Sequence, residues 1–215
     1  TNDVFEQLFE DSSHFFVSLQ EISGVTFAAL STCLFENRQN NYGYVGGEQL
    51  KLLEKKLQRV GSGARVAVLH HHVLPGVMDG VSPDPLANSA GLVDLSIVRD
   101  SGIVIQKLHE LGFDVVLHGH KHEPSVRLHG QYKGSQLHGI YVLGAGSAGV
   151  GMTELPPAQT HHAYVVEVNG PDTNIRHLTH DRLADRWDLS HPVSVPIPAF
   201  SSPSDEYLVQ TNRMK

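Results

Sequence analysis

The sequence is poor in several things a function could be read from. Among 215 residues it has one cysteine, one tryptophan, three methionines, 7% aromatics and 18% charged residues. With Cys33 as the sole cysteine, an intrachain disulfide and a zinc module built from several cysteines are both excluded. No apolar run is long enough to span a bilayer, and no signal-peptide pattern opens the sequence, so a cytoplasmic setting without membrane contact is the expectation. Basic residues are also short: 16 Lys and Arg against 23 Asp and Glu leave a net charge of −7. That balance provides no basic face, so nucleic acid is a possible partner that charge does not indicate. A polyanionic substrate would have to be attracted locally, as a bound metal dication can do.

What is abundant is histidine, fifteen residues in all, and an apolar fraction of 40% that suffices for one buried core. The start at Thr1 rather than methionine suggests a processed or trimmed chain. The pattern is α/β. A short helix is expected over residues 3–10, then strands over 15–22 (FFVSLQEI) and 25–32 (VTFAALST) split by Ser23-Gly24. A polar loop over 36–47 leads to the clearest helix, 47–60, with Leu50, Leu53 and Leu57 on one face. Residues 65–69 (RVAVL) form a short apolar strand running into His70-His71-His72. A loop rich in Pro, Gly and Asp follows over 73–91, then a helix over about 96–111. Residues 114–117 (DVVL) are again a short strand, running into His118-Gly119-His120-Lys121-His122. Segments 139–143, 163–168 and 174–178 read as strands of a second sheet. From residue 183 to 215 the chain reads as a linker or extended tail rich in Pro and Ser.

The chemistry is expected at the strand ends. Ligands of open α/β sheets bind beyond the carboxyl ends of the strands, and both histidine clusters fall there. Two strands joined by one helical crossover lie close, so their following loops can face one site. Imidazole suits Zn, Fe, Ni and Mn-type ions. A solitary histidine at a strand end is usually a surface or hydrogen-bonded residue. His14, His109, His129, His161, His162, His177, His180 and His191 are read that way. The glycine stretch 144–151 is a turn after a strand rather than a nucleotide loop, because Pro156-Pro157 follows where a helix would be needed.

The combination of motifs resembles the calcineurin-like metallophosphoesterases. Gly119-His120-Lys121-His122 resembles the GHxH motif of that family, and VAVLHHHVLP (66–75) its upstream histidine motif. The helix GYVGGEQLKLLEKKL and the strand and turn GIYVLGAGSAG stand where the family has a helix and a strand. The resemblance covers residues 1–182, which it implies are the C-terminal part of one metallophosphoesterase domain. The HHHxLP pattern looks like the cyclic-nucleotide-phosphodiesterase branch. The implied fold is a four-layered α/β/β/α sandwich with two mixed sheets. The implied activity is phosphoric ester hydrolysis, by a phosphodiesterase or phosphatase, using a hydroxide activated between two transition-metal ions (Mn, Fe, Zn or Ni). By position in the motifs, the resemblance makes His120 and His122 metal ligands, with His71 the upstream ligand and His70 the alternative. His72 would line the substrate entrance as the catalytic-side histidine.

The sequence departs from that family in one large respect. The family's DxH, GDxxD and GNHD/E motifs have no counterpart ahead of His70, and Asp3 and Asp11 match none of them. Three neutral imidazoles without a bridging carboxylate ligate two ions incompletely. The expectation is therefore a partner in the form of the domain's N-terminal half, on the same or another chain, and an exposed apolar sheet edge where it is missing. Substrate specificity is expected from loops 73–91 (Asp79, Asp84, Asn88) and 36–47 and from the surroundings of His138 and Gly146. Two other functions compete: a nuclease module of a larger assembly, and an inactive scaffold that keeps the fold.

Overall fold

The structure, a computed structural model, describes residues 16–33, 42–61, 63–75, 97–120, 122, 124–133, 136–148, 160–169, 172–181, 184–189 and 193–196. The helix expected over 3–10 and most of loops 36–47 and 73–91 lie outside these, as do Asp79, Asp84, Asn88, Lys121 and the side chain of His138. Twelve elements are described: β1 (Val17–Ile22), β2 (Val25–Leu30), α1 (Gly47–Leu57), β3 (Arg65–Val68), α2 (Ser101–Glu110), β4 (Val115–His118), β5 (Pro124–Lys133), β6 (Gln136–Ala145), β7 (His162–Asn169), β8 (Asp172–Asp181), β9 (Arg186–Leu189) and β10 (Val193–Pro196).

Six strands form a mixed sheet in the order β1-β2-β3-β4-β6-β5. Strands β2, β3, β4 and β6 run parallel, and β1 and β5 flank them antiparallel. The β1–β2 hairpin closes through Ser23 and Gly24, both left-handed at φ 51° and 79°. Two such residues twist a two-residue turn to match the strands. Gly63 lies against that turn so closely that a Cβ would stand 2.0 Å from the Gly24 carbonyl oxygen.

Side chains alternate across a strand, and each face of this sheet has its own core. On one face Ala28, Leu30, Ala67, Leu69, Val116, Ile140 and Val142 meet α1 and α2, which contribute Leu50, Leu53 and Leu57 and Val104, Ile105 and Leu108. Leu53 is fully buried, and truncating such a residue to alanine costs about 2–5 kcal/mol. On the other face Val25, Val66, Val115 and Leu143 meet Ile175 of β8, with Phe27, Val68, Leu117, Tyr141, Tyr164 and Val166 only partly buried around them.

The second sheet has β8 at its centre, β7 along one side, and β10 and β9 along the other. The architecture is thus α/β with two sheets, the first mixed and the second antiparallel in all its described pairings. Among the described residues helices cover only the first sheet.

Three readings of the sequence change. Strand β6, expected in the second sheet, belongs to the first, where Val115–His118 pairs with Tyr141–Gly144 in parallel. Strand β5 was not expected, because polar residues and Gly130 break its apolar alternation of Val126, Leu128 and Tyr132. Residues 186–189 and 193–196, expected in the tail, are strands paired to β8. Val126 and Leu128 stand opposite Leu143 and Tyr141, so they share the face turned to the second sheet. They are nevertheless 47% and 57% exposed, and Tyr132 is 73% exposed.

Candidate metal centre

Parallel strands present their carboxyl ends on one edge. Three neighbours, β2, β3 and β4, therefore deliver Thr32-Cys33, His70-His71-His72 and Gly119-His120 to the same place. The register continues beyond the strands, since Leu69 N–H donates to Leu117 O at 2.9 Å and Gly119 N–H to His70 O at 3.0 Å. Those two bonds set His70 beside His120. Their rings meet edge to face at 5.0 Å, with His70 Nε2 3.0 Å from His120 Nδ1. His71 joins them, its ring centre 4.8 Å from that of His70 and 4.3 Å from that of His120.

The His71 ring is held from behind. His71 is fully buried. Its backbone N–H donates to Thr32 Oγ1 at 3.1 Å, and its Nδ1 lies 2.8 Å from the same hydroxyl. Gly43 closes the other side, where a Cβ would fall 2.7 Å from His71 Cγ. With Nδ1 engaged by Thr32, Nε2 is the nitrogen left to face the group, the arrangement metal-binding histidines use to fix their orientation. The end of β2 is fixed by Gln49 of α1, itself fully buried. It accepts from Ser31 N–H at 2.7 Å and donates to Ser31 O and Val45 O. Asp100, ahead of α2, accepts from Val45 and Gly46 N–H at 3.1 and 2.8 Å. His120 has φ 75° and His122 φ 57°. A non-glycine residue there costs on the order of 1–2 kcal/mol, and such strain gathers at functional positions.

The sequence-derived residues are thus treated unequally. His71 and His120 come together, and His70, the alternative, comes with them. His122 is half-buried and stands outside this ring group among the described contacts. His72 points away. It is 3% exposed, its carbonyl accepts from Val98 N–H at 3.0 Å, and its ring faces His118 at 5.9 Å.

Sequence reading passed over two members. Cys33 supplies a donor: its Sγ and a ring nitrogen from each of His70 and His71 lie within 4.8 Å of one another. Thr32 supplies the brace. The signal for both was the same as for the histidines, a polar run (Ser31-Thr32-Cys33) directly after an apolar strand.

The donor set suits a borderline ion such as zinc, which takes imidazole nitrogen and thiolate at tetrahedral spacing. Among the described residues no carboxylate joins the group. The fit is therefore to one ion, and the second ion has no described ligand set.

A second histidine group lies in the antiparallel sheet. His162 and His177, cross-strand neighbours, stack at 4.9 Å with Nδ1 and Nε2 2.9 Å apart. Tyr164 stacks on His177 at 5.1 Å. Burial, and then the charge of His177, hold His162 below the ordinary histidine value, and burial does the same to His177.

No family model matches the sequence, and no curated protein matches it. Solved structures do. GAP50, the anchor in the inner membrane complex of Plasmodium, is 10% identical with a TM-score of 0.44 over 85% of this chain and 54% of its own. Vps29 from Entamoeba histolytica, complexed with zinc, is 12% identical with a TM-score of 0.33 over 83% and 59%. Chaetomium thermophilum Vps29 is 9% identical with a TM-score of 0.35 over 85% and 60%. Likenesses this low carry no argument about activity. The chain spans between 54% and 60% of the length of these three structures. No helix among the described residues is long and apolar enough to cross a membrane.

Proposed function

We propose that the chain carries part of the metal centre of a phosphoric ester hydrolase of the metallophosphoesterase type, phosphodiesterase or phosphatase. The observation that carries this reading is the convergence of His70, His71 and His120 from the ends of adjacent parallel strands, with His70 Nε2 and His120 Nδ1 3.0 Å apart. His71 and His120 are proposed as ligands, with His70 in the same group. His122, two residues past His120 on a left-handed turn, is proposed for a second ion whose other ligands lie on further chain. A bound divalent ion supplies a more acidic water and polarises a phosphoryl oxygen.

The chain's own residues do the rest. Thr32 and Gly43 lock the His71 ring, and the ladder through Leu69 and Gly119 holds His70 against His120. His72, whose ring lies 5.9 Å from that of His118, is proposed to line the pocket beside this group. The exposed stripe of Val126, Leu128 and Tyr132 is where further sheet would pack, since an apolar patch left open commonly marks an interface. That supports a partner in the form of the N-terminal half of the domain.

Hydrolysis of bis-p-nitrophenyl phosphate with added manganese or zinc, by protein that includes the preceding segment, tests the reading. Turnover that a chelator abolishes, and that His71→Ala and His120→Ala each reduce at least about hundredfold, is expected. Metal uptake with no turnover of any phosphate ester would instead make this a scaffold, a reading the absence of described carboxylates at the site favours.

A further inference from the structure

The histidines at the strand ends leave one donor unused. Cys33 lies three residues beyond β2, on the same edge, with its Sγ within 4.8 Å of a ring nitrogen of each of His70 and His71. We infer that Cys33 is a metal ligand, so that Cys33, His70 and His71, with His120 beside His70, make a nitrogen–sulfur site for one of the ions that takes zinc in preference to manganese or magnesium. The inference rests on the reading of this edge as a metal centre and adds to it the thiolate, the charge and the choice of ion.

Three observations support it. The first is spacing. Zinc bound at about 2.0–2.1 Å to nitrogen and about 2.3 Å to sulfur places tetrahedral donors roughly 3.3–3.6 Å apart. The donor atoms of Cys33, His70 and His71 lie within 4.8 Å of one another, and His70 and His120 nitrogens are 3.0 Å apart. Small rotamer changes close such a set on one ion.

The second is support. Cys33 is not on an unbraced loop end. It pairs with Tyr44 in a parallel bridge, and Tyr44 N–H donates to Thr32 O at 2.9 Å. Thr32, the residue before it, braces His71 as well. One residue therefore sets the position of two of the donors. A cysteine serving only as a small apolar residue is usually fully buried in the core, whereas Cys33 is only partly buried at the sheet edge.

The third is charge and softness. Two or three neutral imidazoles leave a dication uncompensated, and no described carboxylate joins them. A thiolate supplies the missing negative charge, its proton passing to solvent on binding. Sulfur also sets the selectivity. Thiolate ligands favour zinc, while manganese and magnesium prefer oxygen.

Cobalt(II) loading of the full 215-residue chain tests this, followed by zinc competition. The expected spectrum has visible bands of tetrahedral cobalt and a near-ultraviolet thiolate-to-cobalt charge-transfer band. Cys33→Ser should remove the second and weaken zinc binding by at least about hundredfold, more than the loss of an outer-sphere brace. Because Cys33 is the only cysteine, alkylation of the unmutated chain reports on it alone. Zinc should slow that alkylation at least about tenfold by occupying the sulfur, and magnesium should not. Tetrahedral bands without charge transfer, together with alkylation indifferent to zinc, would overturn the thiolate while leaving an imidazole metal centre in place. No uptake of cobalt or zinc by the unmutated chain would overturn both.

Discussion

Two of the histidine groups among the described residues differ in backbone rather than in side chain. At the ends of β2, β3 and β4, parallel neighbours stop side by side, so His70 and His71 after β3 meet His120 after β4, with ring centres 4.3–5.0 Å apart. In the antiparallel sheet, His162 and His177 are diagonal neighbours on β7 and β8 and stack flat, 4.9 Å apart. The first arrangement aims ring nitrogens and a sulfur at one locus. The second brings two ring nitrogens 2.9 Å apart and is not part of a group of three His, Cys, Asp or Glu donors among the described residues. The donors that could hold a metal gather at the strand ends, and a proton-sensitive contact lies in the sheet.

The comparison can be broken most directly at Gly43. Gly43→Ala forces a methyl to 2.7 Å from His71 Cγ. The buried ring has to move, at a cost of about 1–3 kcal/mol. Urea unfolding should show that loss, and zinc titration should show weakened binding, while the His162–His177 region is unaffected. Retained metal affinity in that variant would mean His71 is not oriented by its cage.

Thr32→Val is isosteric and acts on the same ring through chemistry alone. Losing the hydroxyl leaves His71 N–H and Nδ1 without it, costing about 1–2 kcal/mol. It should lower metal affinity about 10–100-fold, read by zinc competition. A stability loss with unchanged affinity would make Thr32 a packing residue only.

Acid should act on the other group, with the smallest effect. His162 and His177 are held below the ordinary value of 6.5. Between the lowered folded value and 6.5 the unfolded chain binds more protons, so stability is complete above 6.5 and declines as pH falls below it. Thermal unfolding from pH 7.5 downwards should show that decline in metal-free protein, and His177→Gln should flatten it. An unchanged slope would assign the acid sensitivity to histidines elsewhere.

Part of this was legible in the chain. Strands β2, β3 and β4 were visible because each is a short apolar run, and α1 because Leu50, Leu53 and Leu57 repeat at helical spacing. The histidine clusters were visible because each directly follows such a strand. Cys33 was not, since one cysteine forms no spacing pattern and its partners lie 37 and 38 residues on. The choice between His70 and His71 was not legible either, because adjacent residues differ only in which way the chain points them. The structure puts both rings at the site and turns His72 to His118. Strand β6 was placed in the wrong sheet for a similar reason. A strand's own residues report that it is buried but not which neighbour it pairs.

What the sequence by itself determined is therefore local. It set an α/β chain of apolar strands and amphipathic helices, with imidazole-bearing turns after two of the strands and a net charge of −7. Tertiary structure decided everything that depends on pairing. Parallel alignment of β2, β3 and β4 gathers Cys33, His70, His71 and His120 onto one edge, and antiparallel alignment of β7 and β8 stacks His162 on His177. The physical reason is that donor convergence is set by strand order and register. These arise from burying both faces of a sheet at once, and no single segment carries that information.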